Sequence, residues 1–404
     1  MNPQVNSHHN VLIVGAGTAG VTVAARLKRA GVTGIAIVEP SEKHYYQPLW
    51  TLVGGGLVNV ETTMRPMMSV IPKGVTWIKD SAVGIEPDGN MLELASGRFI
   101  GYNYVVVAPG IQLNWDKIEG LPETLGENGV SSNYTYELAP KTWENIKKLT
   151  SGTAIFNMPV GAIKCAGAPQ KIAYLACDYW KRNNVLDSIK VILVLPGPSI
   201  FGVPQFAKPL MEVVKGYGIE VRYQSEIVSI DGATKEVAIR DLTNKDAPNE
   251  VIHFDIAHIV PPQSAPNWIK DSKLADQSNP FGYVEIDKNS LRHTRYENVY
   301  SLGDAGSSPN SKTGAAIRKQ APVVVSNLLS AMGKSATTKS YDGYASCPLV
   351  TSHNRCIMAE FDYESKPTPT FPILNMQKER YDMFLVKRYA LPIMYWNFML
   401  KGRA

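Results

Sequence analysis

Four cysteines and one glycine-rich turn are the parts of this sequence best suited to chemistry. The cysteines stand at positions 165, 177, 347 and 356. None forms a CxxC pair and none lies at metal-ligand spacing from a histidine, so no metal site is assigned. Four thiols in a chain of 404 residues do not make the disulfide framework of a secreted protein, and any pair that forms should serve redox chemistry. Cys165 has the most reactive surroundings. It sits in the Gly- and Pro-rich turn Pro159 to Pro169, next to Lys164 and just before a predicted helix N-terminus, and both features lower a thiol pKa. The plainer reading is a small buried hydrophobe, the fate of most free cysteines. Cys347, before Pro348, reads as a loop residue. Cys177 lies in a helical stretch between Ala176 and Asp178 and reads as structural, and Cys356 inclines the same way.

The glycine-rich turn is Gly15-Ala16-Gly17-Thr18-Ala19-Gly20. An apolar run, Val11–Val14, precedes it and a helical stretch, Val21–Ala30, follows, which is the strand, tight turn and helix that a dinucleotide pyrophosphate requires. Gly15 permits the turn, Gly17 lets the pyrophosphate approach the backbone, and Gly20 lets helix pack on strand. The helix N-terminus then offers free N–H groups and a positive dipole end. A second strand, Ile35–Val38, ends at Glu39, 19 residues past Gly20, where a carboxylate can take ribose hydroxyls.

Two further strand ends bear on which dinucleotide is held. Tyr104–Ala108 runs into Pro109-Gly110, and Asn298–Leu302 into Gly303-Asp304-Ala305-Gly306. Asp304, ahead of a helix over Gly314–Leu329, can hold a ribityl hydroxyl while the helix dipole faces the ring and favours an anionic reduced flavin. Alone it reads first as an ordinary helix cap; together with the first turn the flavin reading prevails and favours FAD. Lys312 either meets the flavin carbonyl edge or is a solvated residue.

A second strand, turn and helix follows in the middle of the chain: Thr153–Met158, the Cys165 turn, the helix Ala168–Lys181 and the strand Val191–Leu195. The turn has no GxGxxG. The last strand ends in Leu195-Pro196, with no acid for a ribose and no arginine for a 2′-phosphate, so nicotinamide binding is not expected.

The Gly15–Gly20 turn with Glu39, the phrase VVVAPG and the phrase NVYSLGDAG resemble the flavoproteins with two dinucleotide domains. Within that group HYYQPLWTLVGGG (44–56), IKCAGAPQKIAYL (163–175), SKTGAAIRKQ (311–320) and YASCPLVT (344–351) resemble the sulfide:quinone oxidoreductase family, its mitochondrial-type branch in particular. The resemblance implies an α/β fold with two Rossmann-like dinucleotide-binding domains of the flavoprotein disulfide reductase type and a C-terminal cap. It divides the chain into an FAD domain (1–150 and 286–340), an inserted second Rossmann-like domain (151–285) and the cap (341–404). FAD is the implied cofactor, with Gln47 and Ala82 as further contacts. Cys165 and Cys347 are the implied redox pair: sulfide opens their disulfide, leaves a persulfide on Cys347 and a thiolate on Cys165, and a small sulfur acceptor clears the persulfide. A type II NADH:quinone oxidoreductase and a non-catalytic FAD-stabilised adaptor are the competing readings. The missing second fingerprint opposes the first, and cysteines in reactive settings oppose the second.

Near the C-terminus Tyr381, Phe384, Tyr389, Tyr395, Trp396 and Phe398 alternate with cations, including Lys387 and Arg388. That mixture suits a membrane interface and a quinone pocket; a helix packed on its own domain is the alternative. Pro392 is expected to divide the stretch into two short helices. The chain has no run of 18 apolar residues to span a bilayer. Its net charge of +5, with 44% hydrophobic and 19% charged residues, points weakly to anionic lipid and not to nucleic acid. The first ten residues carry neither an apolar signal core nor an Arg-rich stretch. The expected location is peripheral on a bacterial inner membrane, with the mitochondrial inner membrane as the alternative. A homo-oligomer is left open.

Overall fold

The computed structural model describes residues 5–244 and 246–404. Val11, Leu12, Ile13 and Val14 are all buried: parallel neighbours pair both edges of their strand, Val5–Val14, and in such a sheet other elements cover both faces. Ile35–Val38 pairs with it on one side, Val11 opposite Ile35, and Phe99–Val107 on the other, Val11 opposite Tyr104. Thr76–Ile78 extends the sheet beyond Ile35–Val38. Val299–Ser301 joins it from late in the chain, beside Val105–Val107. An antiparallel pair, Met91–Leu94 and Ala82–Glu86, completes the seven strands. The helices Thr18–Arg29 and Gly314–Ala331 pack on this sheet.

The second sheet has five parallel strands in the order Val130–Ser131, Ile256–His258, Gly152–Asn157, Ile189–Val194 and Glu220–Arg222. Val130–Ser131 belongs here by its pairing, although a division at residue 150 puts it with the first unit. The helix Ala168–Arg182 packs against this sheet and is buried from Ala168 to Cys177.

A two-stranded hairpin, Ala345–Ser352 with Arg355–Phe361, lies between the two units. Strand alternation divides its side chains. Cys347, Leu349, Ile357 and Ala359 enter the core of the second unit, whereas Val350, Cys356 and Met358 enter that of the first. The hairpin thereby fixes one unit against the other.

The C-terminal stretch departs from the expectation of two separate helices. Tyr381–Leu385 and Leu391–Asn397 are α-helical, but Val386–Ala390 between them is a π-helical turn, and the backbone stays helical throughout. Pro392 stands in the first turn of the second piece, where its missing N–H is tolerated, and the wider turn before it absorbs the mismatch. Among the described residues no helix is long and apolar enough to cross a membrane.

Candidate active site

One cavity of about 440 Å³ runs between the two units and the C-terminal helix. Gly17, Thr18, Gly110 and Asp304 line one end, Cys165 and Lys171 the middle, and Met358, Phe371, Leu391 and Met394 the apolar remainder.

At the first end the backbone prepares an anion site. Gly15 has φ = 96°, and a Cβ there would lie 2.5 Å from the Ala108 carbonyl oxygen. A Cβ on Gly20 would lie 1.8 Å from the Gly15 carbonyl oxygen, so only glycine permits this packing. Gly17 differs, since a Cβ on it would meet nothing within 4 Å. That open space stands at the start of a helix with no side-chain cap and no acid in its first turn, so its N–H groups and dipole remain available for phosphate. Glu39 brackets the turn by accepting from Ala16 N–H and Ser41 N–H, each at 2.9 Å. Gly110 has φ = 85° and open space around it.

Asp304 is not a helix cap. Thr313 caps the helix Gly314–Ala331 by accepting from Ala316 N–H, while Asp304 faces the cavity and burial raises its pKa. Gly303 N–H donates to Gln320 Oε1 at 2.9 Å, which fixes the turn that carries the aspartate. The Asn133 amide, also on the wall, is 3% exposed and has no hydrogen-bond partner among the described residues. A partnerless buried amide in the wall of a cavity that also holds the glycine cradle fits a polar cofactor. Glu39 and Ala82 lie outside the lining, Ala82 opening the strand Ala82–Glu86.

Cys165 has φ = 54°, a left-handed conformation that costs a non-glycine residue about 1–3 kcal/mol and is kept where the surroundings over-determine it. Its N–H donates to the Lys312 carbonyl at 2.8 Å, and its own carbonyl accepts from Ala168 N–H at 2.8 Å. Cys347 is not in a loop. It is on the strand Ala345–Ser352, 2% exposed, because the hairpin needs no ladder bond from Pro348 at a sheet edge. The two sulfurs stand 3.8 Å apart as free thiols. Cys177 and Cys356 are also buried, and burial pushes both thiols up, Cys356 to about 12.

The cation that serves Cys165 is Lys171, not Lys164. Lys164 Nζ donates to Gln47 Oε1 at 2.8 Å and to the Tyr134 carbonyl at 3.2 Å, and burial pushes it down to about 8. Lys171, six residues on and 2% exposed, places Nζ 3.1 Å from Cys165 Sγ and 4.0 Å from Cys347 Sγ. The Cys165 thiol is held well below the usual range, first by the hydrogen bond from Cys347 and then by Lys171, against burial. The Cys347 thiol goes the opposite way because Cys165 carries the charge. A lysine at the head of the apolar run IAYLAC was the available signal, since a buried ammonium needs an anion.

Lys312 is buried rather than solvated. Its Nζ donates to the Asp304 and Gly306 carbonyls at 2.8 and 2.9 Å and lies 3.8 Å from the Tyr283 ring centroid. Lys387, expected at the lipid edge, is 3% exposed and donates to the Pro48 carbonyl at 2.7 Å. Tyr395 is buried too: its hydroxyl meets His44 Nε2 at 2.5 Å and Thr18 Oγ1 at 2.9 Å. The C-terminal helix is thereby joined to the phosphate turn.

Comparison with known proteins agrees with this geometry. Residues 9–321 match the family described as pyridine nucleotide-disulphide oxidoreductase. The chain is 40% identical over 397 residues to the mitochondrial sulfide:quinone oxidoreductase of Mus musculus, spanning 98% of this chain and 87% of that protein. It is 41% identical over 396 residues to that of Dictyostelium discoideum, spanning 97% and 86%. The solved sulfide:quinone oxidoreductase of Aquifex aeolicus shares the fold, with a TM-score of 0.82 at 18% identity over 98% of this chain and 92% of that one. A glycine cradle for a dinucleotide, a thiol pair at the second turn and kinship along nearly the whole chain lead to one conclusion: this chain belongs to the sulfide:quinone oxidoreductase family of flavoproteins.

Proposed function

We propose that Cys165 and Cys347 are the pair through which this FAD-dependent sulfide:quinone oxidoreductase oxidises sulfide. The observation that carries the assignment is the placement of both sulfurs beside one buried ammonium, Lys171, in the wall of the cavity that also holds the glycine cradle. With the pair oxidised, hydrosulfide attacks Cys347 Sγ. The bond between the cysteines breaks, a new S–S bond forms at Cys347 as a persulfide, and Cys165 leaves as a thiolate. Lys171 favours that leaving group, and a stabilised thiolate leaves faster. A small nucleophilic acceptor takes the outer sulfur, leaving Cys347 as a thiolate. The two thiolates then re-form their S–S bond and release an electron pair, which FAD, when bound, would accept and pass to the quinone.

The residues assigned to the cofactor are Gly15, Gly17, Thr18 and Gly20 at the pyrophosphate, Glu39 and Ala82 toward the adenosine, and Gln47, Gly110, Gly303, Asp304 and Lys312 toward the flavin. Lys312, its Nζ protons held by the Asp304 and Gly306 carbonyls, would turn positive charge toward the ring. The NADH-linked reading is not favoured, since the turn that would hold nicotinamide dinucleotide is filled by Cys165 and Pro169. Pro169 removes an N–H from the first turn of the helix Ala168–Arg182, where a phosphate would need donors.

The membrane contact is assigned to the outer face of the C-terminal helix. Tyr381, Leu385, Tyr389 and Ile393, four residues apart, are all exposed, and Ile373 nearby is 96% exposed. Phe384, Tyr395 and Trp396 are buried instead, so only half of the aromatic set can meet lipid. An apolar stripe with Lys378, Lys401 and Arg403 exposed near it suits insertion into an interface. The mitochondrial names of the relatives favour the mitochondrial inner membrane over the bacterial one.

The pairing is tested by peptide mapping of the oxidised enzyme under non-reducing conditions. A linked pair of peptides containing Cys165 and Cys347, with or without an extra sulfur, is expected. Both thiols alkylated in the oxidised enzyme would refute it.

A further inference from the structure

A buried carboxylate on the far side of the same cavity has no part in the sulfide chemistry. Glu360 is 4% exposed and lines the cavity beside Tyr344, Met358, Thr370 and Phe371. It stands opposite Ser346 across the hairpin, next to Cys347 in the chain. Its Oε1 accepts from the Tyr344 and Thr370 hydroxyls, and its Oε2 accepts from Thr370 N–H at 2.8 Å. Among the described residues no lysine or arginine forms a salt bridge with it. Arg318 and Lys319 come only to 5.9 and 5.6 Å from the Tyr344 ring centroid.

Such a group is expensive to place in an apolar wall. A charge taken out of water costs several kcal/mol unless it is paired, and three neutral donors compensate it only in part.

The established reaction consumes protons in the quinone pocket. Reduction of a quinone to its quinol takes two electrons, which sulfide supplies, and two protons, one at each carbonyl oxygen. One oxygen can take its proton together with the electron pair from the reduced cofactor. The other needs an acid in the wall of the pocket.

We propose that Glu360 is the proton donor to the quinone. In the step, the carboxyl O–H of Glu360 breaks and an O–H forms at the second carbonyl oxygen of the quinone. The carboxylate left behind is the species held by Tyr344 and Thr370, and solvent then returns a proton to it. The apolar side chains Met358, Leu391 and Met394 would receive the ring, with Glu360 supplying the polar end of the pocket. The assignment rests on the sulfide:quinone reading, which the first half of the test checks separately.

The test uses the full-length FAD-loaded enzyme in two half-reactions. The enzyme is bleached anaerobically with sulfide, then mixed with decylubiquinone or with ferricyanide, which takes electrons without protons. Glu360→Gln should bleach at the unmodified rate and be reoxidised by ferricyanide at the unmodified rate. Reoxidation by decylubiquinone should slow on the order of 10²-fold, the usual scale for loss of a general acid. The affinity of the oxidised protein for decylubiquinone, read by tryptophan quenching, should be unchanged. Unmodified reoxidation by quinone, equal slowing with both acceptors, or weaker quinone binding with an unmodified limiting rate would overturn the proposal. If Glu360→Gln does not fold, Glu360→Asp draws the acid back by one methylene and should slow the quinone step alone; an unmodified quinone step in that variant would also overturn it.

Discussion

The two strand-to-helix turns of this molecule share a topology and differ in what they leave free. The first, Gly15 to Gly20, packs two glycines against backbone and leaves open space around Gly17 at an uncapped helix start. The second, Pro159 to Gly167, fills the corresponding place with Cys165 in a left-handed conformation and directs Lys171 from the following helix onto its sulfur. A helix N-terminus stabilises negative charge in either setting, phosphate in one and thiolate in the other. One architecture therefore yields a cofactor site and a redox site, depending on whether the turn carries glycine or cysteine and on the first turn of the helix behind it.

The contrast is most exposed to test at the cysteines. Cys347→Ser should lose persulfide formation and lower sulfide-dependent quinone reduction by at least about 10³-fold, as removal of a nucleophilic partner does. Turnover assays with Cys177→Ser as the control check it, and that variant should keep both properties. The next largest effect is electrostatic. Lys171→Met removes the positive charge beside Cys165, which penalises the thiolate, so the thiol pKa must rise. The pH dependence of Cys165 alkylation by iodoacetamide should move to higher pH. An unmoved profile would return the role to Lys164.

A paired substitution sharpens the comparison of the turns themselves. A Cβ on Gly167 would lie 2.5 Å from Cys347 Sγ and 2.6 Å from Leu349 Cδ2, so Gly167→Ala overpacks the redox pair and should cost about 1–3 kcal/mol in denaturant unfolding. Gly17→Ala meets no protein atom within 4 Å and should stay within about 0.5 kcal/mol of the unmodified protein when free of flavin, yet retain FAD poorly. Equal behaviour of the two variants would remove the distinction between a glycine kept for protein packing and one kept for a ligand. The smallest effect concerns neither turn. Ile393→Glu, on the exposed stripe, should reduce flotation with anionic vesicles and leave flavin bleaching by sulfide unchanged.

The fold was legible where a segment announces itself locally. Val11–Val14 with Gly15, Gly17 and Gly20 fixed the first unit, and the absence of a second fingerprint at Gly161 to Gly167 identified the altered turn. Cys165 was found for the same local reason. The other half of the site was hidden because it depends on tertiary packing. Pro348 made Cys347 look like a loop residue, but an isolated hairpin has sheet edges that accept proline. Lys164 adjoins Cys165 in sequence and faces Gln47, whereas Lys171, six positions away, is returned to the sulfur by one helical turn. Lys387 and Tyr395 read as membrane-edge residues because nothing local shows that the π turn rotates them inward onto Pro48 and Thr18. Glu360 gave no signal at all, since only the pairing of its hairpin places it in the cavity.

The most direct test of the central claim is the absorbance of the FAD-loaded protein during anaerobic addition of sulfide, with Cys165→Ser and Cys177→Ser alongside. The unmodified protein and Cys177→Ser should develop a broad long-wavelength charge-transfer band followed by flavin bleaching, and Cys165→Ser should show neither, because a serine hydroxyl cannot leave as a thiolate or pass on the electron pair. Bleaching of Cys165→Ser by sulfide at the unmodified rate would contradict the assignment of the second turn as the sulfide-oxidising site.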